Sequence, residues 1–84
     1  MAKTIWLNKY ITINPEVRFG KPCIRGLRIA VVDILNLLRA GYAIDEIPKE
    51  YPGITKKDVW AAIEFAAKLT EEPTRVFTPT EILK

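Results

Sequence analysis

Ile54-Thr55-Lys56-Lys57-Asp58-Val59 is the stretch on which the fold turns. Thr55 carries a hydroxyl suited to capping the first free amides of a helix, and Asp58 follows three residues later in near capping-box register. Ile54 and Val59 match the apolar pair that staples a helix entrance. Beyond them, Val59, Ala62, Ile63, Ala66 and Ala67 recur at helical spacing, with Lys57, Ala61, Glu64 and Lys68 on the opposite face. The spacing predicts a helix from a Thr55 cap to about Leu69, stopped by Thr70-Glu71-Glu72-Pro73.

Two further helices precede it. Val31, Ile34, Leu35 and Leu38 share one face of a predicted helix from Val31 to Arg39, and Gly41 stands where a left-handed C-terminal residue belongs. Tyr42 is then placed to close back on Leu37 in a Schellman arrangement. A shorter helix is predicted from about Ile44 to Glu50, with Ile47 inward and Asp45 and Glu46 at the positive end of its dipole. Pro48 predicts a kink, a late start or a 3₁₀ turn there, because proline lacks a backbone donor and crowds the preceding turn. Tyr51-Pro52-Gly53 ends the element, giving a helix, a tight turn and a capped helix in helix-turn-helix order.

The N-terminal third reads as sheet. Tyr10-Ile11-Thr12-Ile13 is a predicted strand, and Asn14-Pro15-Glu16 puts Asn and Pro in the first two positions of a type I turn. Leu27-Arg28-Ile29-Ala30 is the second predicted strand, and Ile5-Trp6-Leu7 adds a third through Asn8-Lys9. The expected fold is mainly α, three helices with a small N-terminal hairpin or sheet. Residues 1–71 form its domain and residues 72–84 a tail for dimer or partner docking.

Composition narrows the class. A chain of 84 residues makes one domain, and so short a chain buries only about 60 per cent of its unfolded surface, which favours self-association as an added stabiliser. Cys23 is the sole cysteine, so there is no internal disulfide. The N-terminus lacks the apolar run of a signal peptide, and Leu27 to Leu38 is interrupted by Arg28, Asp33 and Asn36, so no membrane span is expected and the predicted setting is the cytoplasm. A net charge of +3 and a pI near 9.2 admit an anionic partner without requiring one.

Histidine is absent, which removes the usual triads, imidazole bases and His zinc sites. Cys23 lies between Lys21 and Arg25 with no base in evidence and reads as a packing residue. Asp45, Glu46, Glu50 and Asp58 are scattered through helix starts, so no metal site or cofactor is expected, and the chain reads as a non-enzyme. Lys56 and Lys57 break a local rule, since cations in a first turn oppose the helix dipole by about 0.3 to 1 kcal/mol each when exposed. Two lysines beside free backbone amides favour a phosphate. The predicted DNA-binding set is Thr55, Lys56, Lys57, Glu64 and Lys68, with Arg25 and Arg28 touching the backbone of a double-stranded DNA. Trp60 and Phe65 are expected in the core, and Trp6 and Tyr10 on an edge strand as a homodimer contact.

Arg18-Phe19-Gly20-Lys21-Pro22-Cys23-Ile24-Arg25-Gly26-Leu27-Arg28 holds four cations, two glycines and no acid. Preceded by Ile11-Thr12-Ile13-Asn14-Pro15-Glu16-Val17, and followed by Ala40-Gly41, Tyr51-Pro52, Ala61-Ala62 and Ala66-Ala67, it resembles the family known as domain of unknown function 433 over about residues 10–69. The chain departs from that pattern at Ala30, where the family usually has proline, and around Ala43 to Pro48. The resemblance implies a small helix-turn-helix or winged-helix-like domain, commonly encoded beside a PIN-like nuclease and proposed as the antitoxin of such a pair, with no established biochemical activity. On that reading the tail orders on the toxin through Arg75, Phe77, Ile82 and Leu83, since Thr78-Pro79-Thr80-Glu81 is a helix start with almost no helix after it. The alternatives are a DNA-binding regulator without a toxin, and an orphan domain.

Overall fold

A computed structural model describes residues 3–71 of the chain. Three antiparallel strands, β1 (Ile5–Trp6), β2 (Ile11–Ile13) and β3 (Cys23–Ile24), lie in the order β1-β2-β3. Three helices follow, α1 (Val31–Arg39), α2 (Ile47–Glu50) and α3 (Lys56–Glu71). Helix makes up roughly half of the described residues, so with its sheet the fold is mixed rather than mainly α. The tail, including Arg75, Phe77, Ile82, Leu83 and the helix start at Thr78, lies outside the described residues.

The strands are joined by turns that their own side chains close. Asn8 Oδ1 accepts the amides of Tyr10 and Ile11 at 2.8 and 2.9 Å, turning β1 into β2. Asn14 behaves as its Asn-Pro context predicts, its carbonyl accepting Val17 N–H at 2.9 Å and its Oδ1 accepting Glu16 N–H at 2.9 Å. The predicted strand at Leu27 to Ala30 is displaced. β3 is Cys23–Ile24 instead, paired with Thr12 and Ile11, and the later segment contributes only an isolated bridge from Ala30 to Cys23. The cause is the turn at Arg25 and Gly26, whose φ values of 44° and 75° are both left-handed, as type I′ hairpins demand. The ladder ends at Ala30 because its amide is claimed by Asp33 Oδ2 at 2.9 Å and α1 begins.

The helix boundaries follow the local chemistry. Tyr42 N–H reaches Leu37 O and Gly41 N–H reaches Leu38 O, both at 3.0 Å, with Gly41 at φ +103°, completing the Schellman motif. Pro48 delays α2: Ile44–Glu46 is a 3₁₀ turn and the α-helix starts at Ile47, leaving proline in the first turn where no amide is needed. Thr55 and Asp58 cap α3 reciprocally, Asp58 N–H to Thr55 Oγ1 at 3.2 Å and Thr55 N–H to Asp58 Oδ2 at 2.9 Å.

The core is one cluster built from all three layers: Ile11 and Ile24 from the sheet, Val31 and Ile34 from α1, Ile47 from α2, Ile54 before α3, and Val59 and Ala62 within it. Thr12 is buried in the sheet with both hydroxyl roles filled, accepting Gly26 N–H at 2.8 Å and donating to Cys23 O at 3.4 Å. The buried residues of α3, Asp58, Val59 and Ala62, all belong to its first half, and Ala67 to Glu71 are exposed. α3 therefore outlasts the core it caps. No helix among the described residues is long and apolar enough to cross a membrane.

Candidate nucleic-acid and partner interface

The first turn of α3 presents Thr55, Lys56 and Lys57 to solvent, and Glu64 and Lys68 continue along its exposed side. Lys56 is partly engaged, its Nζ lying 2.8 Å from Asp45 Oδ1 across the gap to the 3₁₀ turn. That hydrogen bond, with Lys56's charge, holds the Asp45 carboxyl below its ordinary range. Both side chains are well exposed, at 63% and 75%, so the pair leaves the lysine available to a stronger anion. Lys57 and Glu64 line an open cleft of about 390 Å³ with Tyr10, Trp60, Ala61 and Ile63. Trp60, expected in the core, is instead 57% exposed and forms a wall of this cleft, whereas Phe65 packs against the core. The reason is that the sheet and the two earlier helices reach only the stripe through Val59 and Ala62, and Trp60 points one helical step away from it.

Arg25 departs from the predicted role. Its guanidinium is turned inward, Nε 2.9 Å from Asp58 Oδ1 and Nη2 2.8 Å from Oδ2, and Nη2 also donates to Gly53 O at 2.7 Å. Asp58 is fully buried at 0% exposure, so this fork is what allows a carboxylate to sit inside the domain. Burial pushes the Asp58 carboxyl up, and the bonds from Arg25 and Thr55 outweigh it, leaving it below the ordinary carboxylate range. A side chain committed in this way has little left for a DNA phosphate.

Arg18 repeats the arrangement on α1. Its Nη1 donates to Asp33 Oδ2 and to Arg28 O at 2.9 Å, while Nη2 reaches Asp33 Oδ1 at 3.1 Å. Asp33 is the third residue of α1, as Asp58 is of α3. Arg18, Phe19 and Gly20 have φ of 50°, 60° and 79°, and Arg25 has φ of 44°. Each arginine thus holds an unfavourable left-handed backbone that aims its fork at a helix-start carboxylate. Neither clamp is legible in the sequence. The only signal was the recurrence of an acid at the third helical position, and no spacing rule says which arginine will meet it. Of the remaining cations in that segment, Lys21 and Arg28 are exposed. Cys23 is buried, and burial lifts its thiol above the ordinary value against the pull of Arg18.

Trp6 is 56% exposed on β1, an edge strand as expected, beside Ile5 at 56% and Leu7 at 48%. Among the described residues no group of three His, Cys, Asp or Glu side chains is placed to hold a metal ion.

Fold and site together define a small mixed domain in which a three-stranded sheet feeds three helices and two arginine forks lock the starts of the first and third. The chain belongs to the family described as protein of unknown function (DUF433), whose model matches residues 11–66. No curated protein and no solved structure matches it.

Proposed function

We propose that this domain is a non-enzymatic, antitoxin-like regulator of the cytoplasm, dimeric through the β1 edge, that offers α3 to operator DNA and its C-terminal segment to a PIN-like toxin. The observation that carries the DNA half is the outward tip of α3: Thr55, Lys56 and Lys57 are exposed while Val59 and Ala62 of the same helix are buried. α2, the Tyr51-Pro52-Gly53 turn and α3 follow in helix-turn-helix order, which supports reading α3 as the element that meets the duplex. Arg28, Glu64 and Lys68 extend the footprint, and Arg25 acts from beneath it. The sheet precedes the helices, so it would serve as an N-terminal counterpart of the wing in a winged-helix-like arrangement. The toxin half draws on what the family resemblance implies about gene neighbours, with Arg75, Phe77, Ile82 and Leu83 as the contacts.

Duplex affinity measured against salt tests the DNA half. Binding falls with a log–log slope of about 0.9 per phosphate neutralised, and replacing Lys56 and Lys57 by alanine together flattens the slope by about two. An unchanged slope refutes the assignment of those lysines. A PIN-like reading frame adjacent to this one, whose product copurifies with the chain, separates the antitoxin from a regulator acting without a toxin.

A further inference from the structure

We infer that Phe19 is a wedge for double-stranded DNA, entering between two base pairs while Lys21 and Arg28 hold the flanking phosphates. Its ring is 93% exposed, more than any other large apolar side chain among the described residues, the next being Leu69 at 62%. Its backbone, at φ 60° and ψ 30°, is one that L-residues avoid and glycine takes freely. Arg18 and Arg25 share that left-handed conformation, and in each it aims a fork at a helix-start carboxylate. The strain at Phe19 serves no such internal contact, since its ring lies almost wholly in water. A strained aromatic that gains nothing inside its own domain points to a partner.

The turn that carries the ring is held in place. Gly20 N–H reaches Val17 O and Lys21 N–H reaches Arg18 O, both at 3.1 Å, and Arg18 donates to Arg28 O at 2.9 Å and to Asp33 Oδ1 at 3.1 Å. The ring is therefore presented in one arrangement, which reduces the ordering that binding requires.

Charge selects the partner. From Val17 to Val32 the chain has no acid. Lys21, two residues from Phe19, and Arg28, whose carbonyl is bonded to Arg18, are both exposed. The acids nearest in sequence are Glu16, on the preceding turn, and Asp33, which Arg18 already holds. An apolar wedge among cations is the combination by which proteins unstack a base step and grip its backbone; an apolar pocket on a protein would give the cations no counterpart. Placement agrees. Arg18 is bonded to the start of α1 and Arg25 to the start of α3. Arg25 comes seven residues after Arg18, at most ~25 Å of chain, less than the ~34 Å of one duplex turn. One duplex can meet Lys56 and Lys57 at the tip of α3 and the ring of Phe19 together. The inference rests on the duplex-binding reading of α3 and adds that the DNA is kinked, at a step flexible enough to open, such as TA.

The test mixes the full chain at low salt with a duplex of about two helical turns carrying TA steps, the adenine of a central step replaced by 2-aminopurine, whose fluorescence rises when it is unstacked. Anisotropy of a label on the duplex end reports binding. The parent should bind and brighten the analogue. Phe19→Gly, which relieves the strain and so keeps the fold, should bind about tenfold more weakly and leave the analogue dark. Its salt slope should match the parent's, because no phosphate contact is lost. Phe19→Asn, which also tolerates the left-handed turn, should behave in the same way. A parent that binds without brightening overturns the inference and leaves the reading of α3 intact, whereas the absence of any anisotropy change removes both. Brightening by either variant equal to that of the parent also overturns it, and sends the ring to a pocket on a protein instead.

Discussion

Replacing Arg25 by alanine strikes the domain where its sheet, its turn and its third helix are joined. Asp58, at 0% exposure, would keep only the Thr55 bonds, and the Gly53 carbonyl would lose its donor. Removing one partner of a fully buried pair costs about 3 to 5 kcal/mol. Arg25's side chain is 36% exposed, however, and water can enter where it stood, which reduces the expected loss to about 2 to 3 kcal/mol. A domain of this size has roughly 4 to 13 kcal/mol to lose, so the melting temperature should fall by roughly 10 to 20 °C. Arg25→Gly should recover about 0.5 to 1 kcal/mol of this, because φ of +44° strains alanine but not glycine. The loss should also depend on pH. The folded carboxyl of Asp58 is held below its unfolded value, so its contribution is full above about pH 4 and disappears as pH falls through the lower folded value. Urea titrations of parent and variant at neutral pH and near pH 3 measure this directly. A loss below about 0.5 kcal/mol, or one equally large in acid, refutes the view that the fork is what makes the buried carboxylate tolerable.

Phe19, 93% exposed at φ 60° and ψ 30°, buries nothing that offsets its backbone, so Phe19→Gly should raise stability by about 0.5 to 1 kcal/mol in the same urea assay; a drop would mean the ring has an unseen packing role. Asp33→Asn should lower the melting temperature at neutral pH, and the difference should close in acid, since Asp33 too is held below the ordinary carboxylate range by Arg18's bonds, against burial. Ile34→Ala empties a fully buried core position and should cost about 2 to 5 kcal/mol, read from the urea midpoint. Cys23, 3% exposed with a raised thiol, should react with a disulfide reagent far more slowly in the folded chain than in denaturant; equal rates would place it at the surface.

What the sequence declared and what it withheld divide along the range of the interactions. The Schellman end at Gly41 and Tyr42, the Asn14 turn, the Thr55 cap and the proline-delayed start of α2 all involve partners within about five residues, and the types of residue present dictate them. The strand predicted at Leu27 to Ala30 failed because its fate was decided outside it, by a left-handed Arg25 whose conformation depends on Asp58, 33 residues away. Trp60 lies outside the core for a related reason. Helical periodicity locates an apolar stripe but not its width, and the width is set by how much sheet and helix arrive to cover it. For the site, the exposed tip of α3 was legible from its cap and its lysines, while the cleft beside it required Tyr10 to be brought in from another element.

The clamp at Asp58 also changes the electrostatics of the tip. Read from sequence, Asp58 offsets Lys56 and Lys57 at the start of α3. In the folded domain its charge is matched by Arg25 within 2.8 Å, so Asp58 itself opposes the two lysines and the positive end of the helix dipole little, and the carboxylate that stands against Lys56 is that of Asp45 at 2.8 Å. If α3 meets a duplex as proposed, Arg25 would support anion binding without touching the anion. Arg25→Ala, assayed well below its melting temperature, should therefore weaken duplex binding by restoring an unmatched carboxylate beneath the tip, yet leave the salt slope nearly intact, because no phosphate contact is lost. Lys56→Ala with Lys57→Ala should do the reverse, flattening the slope in proportion to the contacts removed. If Arg25→Ala flattens the slope as much as a lysine does, the guanidinium reaches a phosphate in the complex and must leave Asp58 to do so, and the inward fork would be a resting arrangement rather than the working one.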